Sequence, residues 1–214
     1  MIGDKIVAKP YHIKAAGQVF DILKDTVAGM RTTITIAGQS GSGKSEIASE
    51  LAKCFESAGT KTAILQQDDY FFYPPKSNHQ QREKDINHVG TGEVKIDLLD
   101  EHLKLFKHSP DQPFIKPLVI FDEDRISEEQ FDPSGYTVVI AEGTYTTMLK
   151  NADHHVFINR DYKDTREDRI GRKRDVIDEF SNRILEIEHE IISKHKSLAT
   201  IIVEKDYSVT VPAA

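Results

Sequence analysis

One eight-residue stretch, Gly38-Gln39-Ser40-Gly41-Ser42-Gly43-Lys44-Ser45, has the residue types and spacing of a phosphate-binding loop. An apolar, β-branched stretch (32–37) predicts a strand before it, and apolar residues at helical spacing predict a helix after it. Backbone N–H groups in such a loop surround an anion, and the helix N-terminus adds a favourable dipole. We therefore predict that the loop binds ATP or GTP, a coincidental Gly/Ser turn being the alternative. The predicted nucleotide-binding residues are Gly38, Ser40, Gly41, Ser42, Gly43, Lys44, Ser45 and Glu46.

Acidic residues follow two further predicted strands, in the sequences QQDDY and AEG. The carboxyl ends of parallel strands form the ligand crevice of an α/β sheet, so Asp68, Asp69 and Glu142 are expected near the loop. An acid there can help to bind Mg²⁺ with the hydroxyl of Ser45, or can take the proton of an attacking hydroxyl. The alternatives are a turn or helix cap for the two aspartates and a surface turn for Glu142.

A basic segment, RDYKDTREDRIGRKRD (160–175), carries Arg166, Arg169, Arg172 and Arg174 at near-helical steps. It predicts a mobile lid whose arginines neutralise the transferring phosphoryl group and keep water out. Because acidic residues are interleaved, a solvated helix with internal ion pairs is the alternative.

The order of GQSGSGKS, QQDDY, an Asn-His pair before a helix, AEG and DTREDRIGRKRD resembles the uridine kinase and phosphoribulokinase group of P-loop small-molecule kinases, over about residues 32–211. The resemblance implies an α/β P-loop NTPase fold in three layers. Its mainly parallel five-stranded sheet would be flanked by helices and covered by a helical arginine-rich lid. It also implies ATP and Mg²⁺.

The resemblance implies roles for individual residues. Lys44, Asp68, Arg169 and Arg174 are the expected catalytic residues, with Asp68 as the base, and Ser45, Asp68 and Glu142 the expected Mg²⁺-side residues. The residues expected around the acceptor are Tyr70, Phe71, Asn87, His88, Phe121, Arg166 and Arg183.

The predicted acceptor pocket departs from the group's pattern. Members that phosphorylate uridine have an acid-His-Pro stretch where this chain has Asn87-His88-Val89, and their base-contacting residues align with Val119, Ile120 and Asp124. Only Phe121 fits that part of the pattern. The lid lacks the expected Arg-Gly and offers Arg183 instead.

The sequence therefore predicts an ATP-dependent phosphotransferase acting on a small-molecule hydroxyl, resembling uridine/cytidine kinase with an altered acceptor pocket. A non-nucleoside acceptor, such as a sugar phosphate, a pantothenate-like alcohol or a glycerate-like acid, is the alternative. A regulatory P-loop ATPase is disfavoured, because no switch segment or water-positioning residue is recognisable.

Composition limits the partners. The 214 residues are 38% hydrophobic and 29% charged, with a net charge of −7 and one cysteine, Cys54. This balance argues against nucleic acid or an anionic membrane as a partner, and the single cysteine favours a cytoplasmic location. A homo-oligomer stays open. We predict an N-terminal helical extension (1–30) packed on a kinase domain (31–214), with the lid at about 163–183.

Several elements are predicted from apolar spacing. Helices are expected at 12–28 and 95–108, a long loop at 74–92, an irregular strand or hairpin at 113–124, and mostly helix over 163–204. Further strands are expected at 61–66, 136–143 and 154–159, and a last edge strand at 207–211.

Overall fold

The computed structural model describes residues 6–27, 29–172 and 178–212. The helices described are α1 (Pro10–Val27), α2 (Lys44–Ser57), α3 (Pro75–Lys84), α4 (Ile96–His108), α5 (Arg166–Arg172) and α6 (Glu179–Ile192). The strands are β1 (Thr32–Gly38), β2 (Thr62–Gln66), β3 (Phe114–Ile120), β4 (Arg125–Phe131), β5 (Val138–Gly143), β6 (His154–Ile158), β7 (Ile201–Val203) and β8 (Val209–Thr210).

The central sheet has the strand order β2-β5-β1-β6-β7-β8. The first five strands in this order are parallel, and β8 pairs antiparallel with β7. The mainly parallel α/β sheet is therefore confirmed, but the described sheet has six strands instead of five, because the predicted edge strand joins it. In such a sheet, ligands bind beyond the carboxyl ends of the strands, where the phosphate loop leaves β1.

Two apolar cores fill the space on either side of this sheet. One core joins α1 and α2 to the sheet through residues such as Val19, Leu23 and Phe55. The other joins α4 and the end of α6 to the opposite face through Leu99, Phe106 and others. The helical prediction for 12–28 is confirmed with an earlier start, and Gly29 follows the helix with a φ of +79°. The proposed division of the chain at residue 30 stays a prediction.

A separate two-stranded antiparallel sheet, β3–β4, projects beside the central sheet. It confirms a hairpin in the region where Pro117 interrupts the pattern. Within the hairpin, Pro117 lies opposite Glu128. The carboxylate of Asp69 fixes the hairpin to the turn after β2, because its Oδ1 accepts a hydrogen bond from the Val119 N–H at 2.8 Å.

One prediction of secondary structure is wrong, and another missed a short strand. The segment 74–92 holds α3 and two short 3₁₀ turns instead of a long loop. Apolar periodicity does not reveal α3 because its buried residue is Asn78 and its start is capped from the hairpin by Asp124. The described part of the region 163–204 is mostly helical, as predicted, but it also contains β7, a strand of three residues that is too short for a recognisable pattern.

None of the described helices combines the length and the apolar character that a membrane span requires.

Candidate active site

The phosphate loop connects the end of β1 to the first turn of α2, as predicted. Gly41 and Gly43 have φ values of +77° and +97°, which a side chain rarely adopts. A Cβ atom on Gly43 would lie 2.7 Å from His12 Nε2, and one on Gly41 would lie 2.7 Å from Arg169 Cγ. Both positions therefore need glycine for conformation and for space.

Two buried hydroxyls beside this loop, Ser42 Oγ and Thr165 Oγ1, have no hydrogen-bond partner within the described residues. Lys44 Nζ lies 3.1 Å from the carbonyl oxygen of Gln39, folded back over the loop. Unsatisfied donors, a lysine ammonium and a helix N-terminus at one place fit a bound polyphosphate. The surroundings of the loop therefore suit the predicted nucleotide.

Glu142 lies at the end of β5, in register with Ile36 of β1 and Gln66 of β2. Its carboxylate is 5% exposed and accepts hydrogen bonds from Ser45 Oγ at 3.1 Å and Gln66 Nε2 at 3.3 Å. Burial, followed by the negative charge of Asp68, raises the pKa of Glu142 to about 7.

A cation would relieve the repulsion between these two acids, so Ser45, Asp68 and Glu142 fit a magnesium ion. The described residues contain no group of three or more His, Cys, Asp or Glu that could hold a metal. Proteins commonly bind Mg²⁺ through one or two carboxylates together with substrate phosphates.

The neighbouring aspartates of the 3₁₀ turn Gln67–Tyr70 have different surroundings. Asp68 is exposed and lines a crevice beside the phosphate loop. Asp69 is 2% exposed and fixes the hairpin through the Val119 N–H, with Lys116 Nζ at 3.8 Å from its other oxygen. Asp68 is thus placed for chemistry, and Asp69 stabilises the wall of the crevice.

The lid arginines are placed unequally. Arg169 is 5% exposed, donates from Nη2 to the Tyr162 carbonyl at 2.8 Å, and lies against Gly41 of the phosphate loop. Arg166 is exposed, and Arg183 pairs at the surface with Glu186 at 3.1 Å. Neither lines the crevice, so the structure does not support their predicted acceptor contacts. Arg174 lies outside the described residues.

A second set of contacts supports the loop from behind, and sequence reasoning missed it. The Tyr207 hydroxyl donates to the Ser42 carbonyl at 3.2 Å, lies 3.2 Å from His12 Nε2, and accepts a short hydrogen bond from Arg160. Asp168 of α5 in turn binds Arg160 at 3.0 Å and Lys9 at 2.7 Å. The N-terminal helix and the lid thus meet at the phosphate loop. These residues lie far apart in the chain, so no local pattern reveals them.

A crevice of about 560 Å³ opens between the phosphate loop, the hairpin, α3 and α6. Asp68 and Arg169 line its phosphate side, and Phe71, Tyr73 and Phe121 line its outer wall. Phe71 and Phe121 are among the residues predicted around the acceptor, and both line this crevice.

Three predicted acceptor residues lie elsewhere. Tyr70 is fully buried, with its hydroxyl 2.8 Å from His102 Nδ1, and is a core residue. Asn87 is exposed and bonds back to Asp85 at 3.0 Å. His88 does not line the crevice, because its Nε2 meets Asn78 Oδ1 at 3.1 Å behind the wall. None of these three residues lines the crevice, so the structure gives no support to their direct contact with an acceptor, which stays a prediction.

Asp124, which aligns with a base-contacting residue, is used structurally. Its carboxylate accepts hydrogen bonds from the backbone N–H groups of Lys76 and Ser77, at 2.7 and 3.1 Å, and from Ser77 Oγ at 2.7 Å. It caps α3 and is not directed toward a nucleoside base.

The acceptor end of the crevice contains a charged cluster that the sequence did not reveal. We call Asn78, Arg82, Glu93 and Glu188 the Arg82 cluster. Arg82 binds Glu93 through two hydrogen bonds, of 2.8 and 2.6 Å, and reaches Glu188 Oε1 at 3.2 Å. Arg82 and Glu188 line the crevice, and Glu93 is buried behind them. Their polar residue types in a charged segment resemble a solvated surface, so no sequence signal distinguishes them.

A parallel α/β sheet with a phosphate loop, an acid at the end of a neighbouring strand and an arginine-bearing lid defines a P-loop kinase. The chain belongs to the Phosphoribulokinase / Uridine kinase family, whose sequence profile matches residues 33–161. This confirms the family resemblance seen in the sequence.

Two solved structures share the fold. A possible uridine kinase from Bacillus stearothermophilus has a TM-score of 0.64 at 16% identity, covering 88% of this chain and 98% of that one. A D-glycerate 3-kinase from Cryptococcus neoformans var. grubii has a TM-score of 0.63 at 14% identity, covering 96% and 100%.

One curated relative is closer in sequence, the bifunctional alpha-galactosidase/sucrose kinase AgaSK of Mediterraneibacter gnavus. It is 32% identical over 92% of this chain. The match spans 23% of that relative's length.

Proposed function

We propose that the protein transfers the γ-phosphoryl group of ATP, with Mg²⁺, to a hydroxyl group of a carbohydrate. The observation that carries this proposal is the position of Asp68, exposed in one crevice between the phosphate loop and an aromatic wall. A base in that position can reach an acceptor hydroxyl and the nucleotide at once.

The chemistry needs few protein groups. The acceptor oxygen forms a bond to the γ-phosphorus while the bond to the ADP oxygen breaks, and Asp68 takes the hydroxyl proton. Lys44 and Arg169 stabilise the negative charge that spreads over the phosphoryl oxygens. Magnesium, held on the side of Ser45 and Glu142, would neutralise charge on the phosphates.

In this proposal, the lid favours transfer over hydrolysis. The aliphatic part of Arg169 lies over Gly41, and Thr165 beside it is fully buried, so this part of the lid already covers the loop. Excluding water there protects the nucleotide until an acceptor hydroxyl is in place.

The acceptor class rests on two further arguments. Asp124 is occupied in capping α3, which removes the group best suited to bind a base N–H. The curated relative carries a sucrose kinase activity in its name, and a phosphate loop belongs to that activity instead of its glycosidase one, because glycoside hydrolysis uses a carboxylate pair and no nucleotide. Both favour a sugar over a nucleoside.

The test is ATP consumption with separate panels of sugars, nucleosides and small hydroxy acids, and with no acceptor as a control. We expect turnover with at least one sugar and little without acceptor. Lys44→Ala should abolish transfer while the protein stays folded, because Lys44 contacts the loop and not a core. Equal ATP consumption with and without acceptors would contradict a kinase, and a nucleoside as best substrate would contradict a carbohydrate acceptor.

A further inference from the structure

Glu188 is a buried carboxylate at the acceptor end of the crevice. It lies on α6 and is 8% exposed. One oxygen, Oε1, accepts a hydrogen bond from Arg82 at 3.2 Å. Among the described residues, no second hydrogen bond to Glu188 is present, while the side chain lines the crevice. The other carboxylate oxygen of Glu188, Oε2, can therefore accept a hydrogen bond from a molecule bound in the crevice.

Arg82 fixes this carboxylate in place. Its guanidinium forms a two-bonded pair with Glu93, and Glu93 is held from the other side by Asn78 Nδ2 at 2.8 Å and by the Gly90 N–H at 3.1 Å. A side chain anchored in this way does not need to be ordered when a ligand binds. The Arg82 cluster therefore presents a preorganised hydrogen-bond acceptor.

Glu188 lines the same crevice as the proposed base, Asp68. Burial raises the pKa of the Glu188 carboxyl group, and the charge of Arg82 opposes that shift. An acceptor between Asp68 and Glu188 would thus have one hydroxyl at the base and another at Glu188.

The charges on this wall disfavour acceptors that carry a carboxylate or phosphate group. Of the described cations that line the crevice, Lys76 is at the exposed rim, Arg82 is shared between two carboxylates, and Arg169 lies against the phosphate loop. A carboxylate or phosphate group on the acceptor would meet the negative charges of Asp68 and Glu188, and the described lining cation left to offset them, Lys76, lies at the exposed rim.

We propose that Glu188, held by Arg82, binds an acceptor hydroxyl and selects neutral polyhydroxylated acceptors against phosphorylated or carboxylated ones. A carboxylate accepts hydrogen bonds from hydroxyl groups, and the faces of Phe71 and Phe121 offer apolar surface to the C–H groups of a sugar ring. The inference rests on the proposed function and specifies its substrate: a neutral sugar, not a sugar phosphate or a glycerate-like acid.

The experiment compares wild type, Glu188→Gln and a matched control, Glu190→Gln, an exposed acid on the same helix. The probes are neutral sugars (sucrose, glucose and fructose) and anionic acceptors (D-glycerate and fructose 6-phosphate). We expect the best neutral acceptor to exceed the best anionic one in kcat/KM at least ~10-fold in the wild type. Glu188→Gln should raise KM for the neutral acceptor roughly 10- to 100-fold and leave KM for ATP within about two-fold. It should also lower the ratio of kcat/KM for the best neutral acceptor to kcat/KM for the best anionic one. Glu190→Gln should match the wild type.

If an anionic acceptor is the best substrate of the wild type, the inference is overturned but the protein is still a kinase. This result needs no variant. Unchanged acceptor KM in folded Glu188→Gln would overturn it as well. If Glu188→Gln does not fold, Glu188→Asp provides the same test, because the shorter side chain withdraws the oxygen while keeping the charge beside Arg82. Failure of every acceptor in the wild type would instead contradict the proposed function itself, and the inference with it.

Discussion

Ser45 Oγ donates a hydrogen bond to Glu142 Oε1 at 3.1 Å, joining the first turn of α2 to the end of β5. The two residues are separated by 97 positions in the chain. The contact brings the hydroxyl that follows the loop lysine next to the buried acid of the neighbouring strand. In the proposed function, this pair and Asp68 hold the metal–nucleotide complex.

The two aspartates after β2 should respond differently to loss of charge. Asp68→Asn should lower kcat at least ~10²–10⁴-fold with an unchanged melting temperature, because a positioned base is lost from an exposed site. Asp69→Asn should lower the melting temperature and affect kcat less, because it loosens the hairpin. Steady-state kinetics and thermal unfolding of both variants check this. Equal kinetic losses would mean that Asp69 also acts in the chemistry.

The lid arginine should act in the transition state. Arg169→Ala should lower kcat roughly 10²-fold, and more than it raises KM for ATP, because its contacts strengthen as charge develops. The same is expected of Arg174→Ala. The control Lys53→Ala removes an exposed cation, paired with Glu50 on α2, and should have wild-type kinetics. If the arginine variants match this control, these arginines take no part in phosphoryl transfer.

His102 should make stability depend on pH. Burial, followed by the charge of Lys116, lowers the pKa of His102 from 6.5 to about 4. Between about pH 6.5 and 4, the imidazole of His102 is protonated in the unfolded chain and neutral in the folded protein. The contribution of neutral His102 to the free energy of unfolding is therefore complete above pH 6.5 and is lost as the pH falls toward 4. Allowing for solvent screening, the loss between pH 7.5 and 5.0 is on the order of 1–2 kcal/mol.

Denaturant unfolding of wild type, His102→Gln and His108→Gln at these two pH values measures that contribution. His108 is an exposed histidine on the same helix, so His108→Gln should keep the wild-type difference. His102→Gln should show a smaller one. An identical pH effect in all three proteins would show that His102 titrates normally.

Uridine should be a poor substrate. Recognition of a nucleoside needs partners for the ribose hydroxyls and the base edge, and Asn87 and Asp124 are both engaged elsewhere. We expect kcat/KM for uridine and cytidine below ~10⁴ M⁻¹s⁻¹, the lower end for efficient enzymes. A coupled assay for ADP release measures it. A value well above that limit would make the protein an ordinary pyrimidine nucleoside kinase.

The sequence predicts the phosphate side of the site far better than the acceptor side. The loop, Asp68 and Glu142 follow strands with strong apolar patterns, and parallel strands bring their carboxyl ends together whatever the details of packing. The same patterns predict the central sheet, α1, α2 and α4.

The acceptor wall could not be predicted in this way. Arg82, Glu93 and Glu188 come from three separate segments, and each alone looks like a surface charge. Their contact depends on how α3 and α6 pack. Tyr70 fails in the opposite way, because its place in the sequence suggests a site residue and its side chain lies in the core. It follows Asp68 and Asp69 in the 3₁₀ turn Gln67–Tyr70, and this turn directs its side chain into the core.

The hydrogen bond between Asp69 and Val119 has a consequence for the order of folding. The β3–β4 hairpin pairs residues close in the chain, whereas β1 pairs with β5 across about a hundred positions. Local pairings form fast, and distant ones carry the cost of closing a long loop. We therefore expect the hairpin to form early, before it packs on the central sheet. The crevice is complete only when the turn after β2 binds the hairpin through Asp69 and Val119. A late folding intermediate would then have a formed hairpin and no acceptor site.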